Sequence, residues 1–320
     1  MRAAYKDRAG GRLRFGVPMY RAILAGFAAL ILWTPDAYAA GRETLGWGRL
    51  FNNDFLGDGR DRWRTGSYVI SKVTGYGWTG QRPERPGKII EFRFRSETIA
   101  TENIVAAAPG DRRYAGSLSF GIYTHFQRRG TEISLGGDLV MTGPQTGIGD
   151  LQTEVHKILG ASVPGVLGNQ IPNGIHPTAR VEVGRQIQLS SNLTFRPFFE
   201  AQGGAETLLR VGGDLTVGRF GQGELMLRDV TTGQRYRASR PDYTGFSAVF
   251  GADIAHVEHS IYLPVYDGIA LTDQRTRVRA GVHWQGKKSS AFYGLTWLSE
   301  EFVGQPESQV VGSVRLNFRF

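Results

Sequence analysis

The chain has 320 residues, 38 Lys and Arg against 29 Asp and Glu, six His and no Cys. Without cysteine there is no disulfide and no thiolate chemistry. Of the net charge of +9, four units come from the first 39 residues, which hold six basic and two acidic side chains, so the basic balance is poor evidence for a nucleic-acid partner and none is expected.

Those 39 residues read as a cleaved leader. Arg2, Lys6, Arg8, Arg12, Arg14 and Arg21 precede an apolar stretch, Ala22 to Trp33, and Ala37-Tyr38-Ala39 is an A-x-A cleavage signal. The apolar stretch is shorter than the roughly 20 residues a transmembrane helix needs. No later segment is long enough either, so a membrane can be crossed only by strands. Residues 40–320 are expected to form one domain, a closed antiparallel all-β barrel of twelve strands in the outer membrane of a Gram-negative cell.

The strands are expected near residues 43–53, 64–76, 88–99, 113–126, 131–142, 177–189, 192–203, 207–219, 243–256, 274–285, 290–301 and 308–320. The last is the clearest. Val314, Leu316, Phe318 and Phe320 alternate with Ser313, Arg315, Asn317 and Arg319. Side chains of a strand alternate between its two faces, so Val314, Leu316 and Phe318 meet lipid while Arg315 and Arg319 face the lumen. The same period runs through Leu193 to Gln202, Arg277 to Trp284 and Ser117 to Phe126, and turns His125 and His283 inward as satisfied lumen residues. Residues 220–242 fit least well. This register places them in the periplasm, either with a hairpin of their own or with the count off by two.

Between the fifth and sixth strands lies the one predicted helix, in an extracellular loop. Gly143, Pro144, Gly147 and Gly149 mark a turn, and Asp150 is suited to cap a helix that starts there. Leu151, Val155, Ile158 and Leu159 recur at helical spacing and form an apolar face. Gln152 and His156 are four apart and share another side. A histidine beside a hydrogen-bonding amide is a candidate general base, or else a surface residue of a cover helix.

The loop after the first strand supplies a second candidate site. Asn53, Asp54 and Thr65 fall at the outer ends of neighbouring strands and offer hard oxygen ligands of the kind calcium prefers. The same residues also suit ordinary turn chemistry, and Asp58 and Asp61 in the same loop are further candidates. Arg112, before the fourth strand, is suited equally to a lipid phosphate and to a neighbouring acid. There is no G-x-S-x-G elbow, no H-E-x-x-H pair and no Walker loop. His256 and His259 are only a weak metal signal.

Taken together, Asn53-Asp54, R-T-G at 64–66, D-R-R-Y-A-G at 111–116, G-P at 143–144, Q-T-E-V-H at 152–156, N-Q-I at 169–171 and E-E-F-V-G-Q at 300–305 resemble the outer-membrane lipid A 3-O-deacylase family. The resemblance spans the mature chain. It implies a twelve-stranded barrel with its active site at the outer rim, beside a helix in an extracellular loop. It implies hydrolysis of an ester-linked acyl chain at the 3′ position of lipid A. His156 would activate water, and Asn53, Asp54 and Thr65 would form the polar site associated with a calcium ion. Gln152 would support the site from behind or contact the lipopolysaccharide substrate, and Arg112 would contact that substrate. A monomer embedded in outer-membrane lipid is expected.

Three departures bear on headgroup contacts. The loop Ile99 to Pro109 has no Lys or Arg, Ser162 replaces a glutamate, and Pro172-Asn173-Gly174 replaces an acid. The competing readings are a non-enzymatic barrel, as a pore or adhesion scaffold with a helical cover, and a barrel phospholipase.

Overall fold

The structure is a computed structural model that describes residues 41–239 and 243–318. The expected leader lies outside the described residues, as do Arg319 and Phe320.

The wall is built from β1 (Glu43–Asn53), β2 (Gly66–Gly75), β3 (Ile90–Ile99), β4 (Ala115–Arg128), β5 (Thr131–Thr142), β6 (Gly174–Gly184), β7 (Ile187–Ser190), β8 (Leu193–Gly203) and β9 (Glu206–Val217). After a lumenal hairpin of β10 (Met226–Arg228) and β11 (Arg235–Arg237), the wall resumes with β12 (Gly245–Ser260), β13 (Arg275–Gln285), β14 (Ser289–Leu298) and β15 (Gln309–Phe318). All pairings are antiparallel, and β1 with β15 and β6 with β8 close the ring. The short β7 follows β6 and also pairs with β8, so the two together form one of the twelve staves expected.

Alternation sets the two faces. Leu316 and Phe318 are exposed and Arg315 is buried, as expected for lipid outside and a polar lumen inside. Reversing that register would place arginine against hydrocarbon at about 2–4 kcal/mol near the midplane. Arg196 and Glu200 on β8, and Arg277 and Arg279 on β13, are likewise turned inward and buried. His125 faces the lumen within 2.8 Å of Glu91 Oε2 and 2.6 Å of Ser134 Oγ. His283 is also buried, but among the described residues neither ring nitrogen has a hydrogen-bond partner; the ring stacks on Phe220 at 4.4 Å.

Residues 220–239 do not extend into the periplasm, and 240–242 lie outside the described residues. The described part folds back inside the barrel. Leu225, Leu227, Tyr236 and Ala238 pack against Leu45, Leu50, Val69, Val73 and Phe292 of the wall. The fit depends on Gly48, where an added Cβ would lie 2.8 Å from the Tyr236 ring. Polar pins surround this apolar contact. Arg228 donates to Glu182 and Asp214, each at 2.8 Å, Arg237 donates to Glu224 at 2.6 Å and Gln285 at 2.7 Å, and Asn52 donates to Asp229 at 3.2 Å.

A lumen filled this way does not suit a pore. The reconstituted protein is expected to show no steady ion conductance in a planar bilayer. Replacing residues 222–239 by a short glycine linker should open one. Conductance from the intact barrel would contradict this packing.

Candidate active site

Three loops build the outer rim above β1 and β2. Asp54 continues the β1–β2 ladder by donating its backbone N–H to Thr65 O at 3.0 Å. Its carboxyl is buried and accepts from Arg62 N at 2.8 Å, Thr65 Oγ1 at 2.9 Å and Gln309 Nε2 at 3.3 Å. The return of the loop passes through Trp63, whose φ of 48° is unusual for a bulky residue and costs about 1–3 kcal/mol. Burial of its indole against Leu263 and Phe302 offsets that strain. Asn53 stands apart from this cluster. Its Oδ1 accepts from Phe55 N at 2.9 Å and so serves the turn, the alternative that sequence left open.

The helix, α1 (Ile148–Leu159), begins two residues before Asp150. Gly147, at φ 68°, is the N-cap, and Asp150 sits in the first turn, where its charge meets the positive end of the helix dipole. The helix lies on the outside of the wall. Gly116 belongs to the β4 register that carries the exposed Ile122, and an added Cβ there would lie 2.8 Å from Ile148 Cβ. This contact turns Gln152 and His156 toward the loop of residues 54–65. Gln152 Nε2 donates to Asp61 Oδ1 at 3.2 Å, and His156 Nε2 is 3.1 Å from Asp61 Oδ2. At the other end, Gly160 adopts the left-handed conformation and ends the helix. The chain doubles back there, bringing Ser162 O to 2.6 Å from His156 Nδ1.

Asp61 therefore joins the two candidate sites. It touches His156 and Gln152 on one side and accepts from Thr65 Oγ1 on the other, and Thr65 reaches Asp54. The cluster is short of protons. Thr65 has one hydroxyl hydrogen facing two carboxyls. His156 faces an acceptor at each ring nitrogen, and a neutral ring donates from only one. Burial pushes the Asp54 carboxyl up to about 8, against the hydrogen bonds from Arg62 N and Thr65 Oγ1, with Asp61 and Asp58 adding to the rise. Gln152 Oε1 is buried without a donor.

The fold, with its helix outside the wall, matches a solved structure, LpxR from Salmonella typhimurium. The TM-score is 0.72 at 17% identity, over 86% of this chain and 100% of that one. A NanC porin overlaps at a TM-score of 0.39 and 8% identity, over 86% of this chain and 100% of that one. No curated protein matches by sequence. Residues 26–320 match the family described as outer membrane protein LpxR.

The chain belongs to the LpxR family. This is the outer-membrane lipid A deacylase family that its motifs resemble, and it places the protein in the Gram-negative outer membrane. Within an LpxR-type rim, the departure at Ser162 and the matching Arg112 take on structural meaning. At position 162 a backbone carbonyl meets the His156 ring, so no side-chain acid is needed there to orient it. Arg112 is buried and pairs with Glu301, so of its two possible uses the ion pair is the one present. Burial alone would raise the Glu301 carboxyl, but Arg64, Arg275 and Arg112 together hold it well below the ordinary carboxylate range. Arg112 thus ties the loop before β4 to the loop after β14, beneath the rim surface.

His256 is exposed, with Nδ1 3.1 Å from Asp273 O, and among the described residues no three His, Asp or Glu side chains form a ready metal cluster. Sequence reasoning named Asp61 only as a further candidate ligand in the loop, with no link to His156. Its position four residues before Thr65 was the available signal, but only the folded loop brings it to His156.

Proposed function

We propose that this LpxR-family protein hydrolyses the ester that holds the acyloxyacyl chain at the 3′ position of lipid A in the outer leaflet. One observation carries the reading: the His156 ring lies a single carboxylate, Asp61, away from the Asp54–Thr65 cluster. Nδ1–H donates to Ser162 O, which fixes the tautomer and leaves Nε2 as the basic nitrogen. Nε2 takes a proton from water as its oxygen adds to the ester carbonyl, and returns it to the sugar oxygen as the bond from that oxygen to the acyl carbon breaks. Gln152 holds Asp61 in place.

The donor set suits calcium. It offers the carboxylates of Asp54 and Asp61, the Thr65 hydroxyl and the unpaired Gln152 Oε1, all hard oxygens. Burial, with Asp61 and Asp58 beside it, raises the Asp54 carboxyl, and among the described residues no salt bridge to Asp54 offsets the rise. Asp54, Thr65 and Asp61 would hold the ion, and Asn53 would support it through the turn that it caps. When bound, calcium supplies polarisation of the ester carbonyl and charge for the oxyanion.

The test is mass spectrometry of lipid A from a Gram-negative host with and without the expressed chain. We expect a species lighter by one acyloxyacyl chain, with fragmentation placing the loss at the 3′ position. Unchanged lipid A alongside hydrolysed phospholipid would favour the phospholipase reading instead.

A further inference from the structure

Beyond Ile148, the apolar residues of α1 remain exposed. Leu151, Val155, Ile158 and Leu159 are 53, 41, 82 and 74% exposed. At 100° per residue they form one sector, flanked on one side by Gln152 and His156 and on the other by Asp150, Glu154 and Lys157. A helix divided this way, with an unpartnered apolar flank beside a charged one, has the build of an interfacial helix.

Its place in the fold supplies the second observation. Because Ile148 packs on the outward register of β4, the helix lies against the same face of the wall that carries the exposed Ile122, and Leu139 on the neighbouring β5. Those residues belong to the belt that meets lipid. The apolar flank of α1 continues that belt at its outer edge, while the Glu154–Lys157 pair, at 2.7 Å, remains exposed on the opposite flank.

We propose that the apolar flank of α1 is immersed in the hydrocarbon of the outer leaflet. The helix then lies in the membrane interface and holds the edge bearing Gln152 and His156 at the depth where acyl esters lie. This rests on the barrel's place in the outer membrane and goes beyond the deacylase reading, since it holds whichever ester is cut.

The chain contains no cysteine, so a single introduced cysteine gives a unique label. Leu151→Cys, Val155→Cys, Ile158→Cys and, as a control, Glu154→Cys would each be nitroxide-labelled and reconstituted in phosphatidylcholine–phosphatidylglycerol vesicles. Folding would be checked by heat-modifiable gel mobility. Power saturation then compares collisions with oxygen, which concentrates in hydrocarbon, against a nickel chelate, which stays in water. We expect oxygen to dominate at 151, 155 and 158 and the chelate to dominate at 154. Chelate access at 155 and 158 equal to that at 154 would overturn the proposal. So would dipolar broadening between labels, because the flank would then be covered by a second copy of the chain. Neither measurement depends on catalysis, so failure here is distinct from failure of the deacylase reading.

Discussion

His156→Ala is expected to insert and fold like the wild type and to lose deacylation by about 10²–10⁴-fold, the usual loss when a general base is removed. The ring is held at the barrel rim by two contacts, Ser162 O and Asp61, and supports no strand pairing. The barrel ladder therefore does not feel its removal. Gln152→Ala should lose less, because it touches only Asp61. The informative contrast is with lumenal histidines. His125→Ala breaks hydrogen bonds to Glu91 and Ser134 deep in the wall and should affect stability more than the activity of folded molecules. His283→Ala should likewise leave activity near wild type. Release of acyl chains by His156→Ala at the wild-type rate, measured on purified lipid A, would remove His156 as the base.

Chelation should produce the second large loss. Withdrawing the group that polarises a carbonyl costs on the order of 10²–10³ in rate, and calcium should restore it. The same cluster provides a readout that needs no substrate. Burial lifts the Asp54 carboxyl from its ordinary 3.8 to about 8, so the cation-free fold prefers the protonated form. Its contribution to stability is then full below the unfolded value and is lost as pH rises toward 8. In chelator, thermal melting of the wild type should fall relative to Asp54→Asn between those limits, and calcium should close the gap. Because calcium must displace that proton, the concentration needed should drop as pH rises. Full activity in excess chelator, or melting curves that never diverge, would take calcium out of the mechanism.

The wall was legible because lipid on one side and a polar lumen on the other force a period of two. Each arginine of β13 and β15 therefore declares its face. The hairpin was harder to read. Each of its strands has three residues, and its partners lie on distant staves, so no local pattern separates it from a periplasmic loop. The helix was found from its spacing, but spacing does not say whether an apolar face meets protein or hydrocarbon. Asp54, Thr65, Gln152 and His156 converge because Asp61 bridges them, and a loop closed through a left-handed Trp63 has no periodicity from which that bridge can be read. Arg112 had two uses open to it, and only the distant Glu301 decides between them.

The hairpin inside the barrel also braces the place where the ring is joined. It is encoded between β9 and β12, yet it packs on β1 and on Phe292 of β14, at opposite ends of the chain. Among the described residues, β1 and β15 meet over three pairs only, Phe51 with Val314, Asn52 with Ser313 and Asn53 with Gly312. The seam is braced from within: Asn52 accepts from Ser313 Oγ across it at 2.6 Å and donates to Asp229 of the hairpin at 3.2 Å.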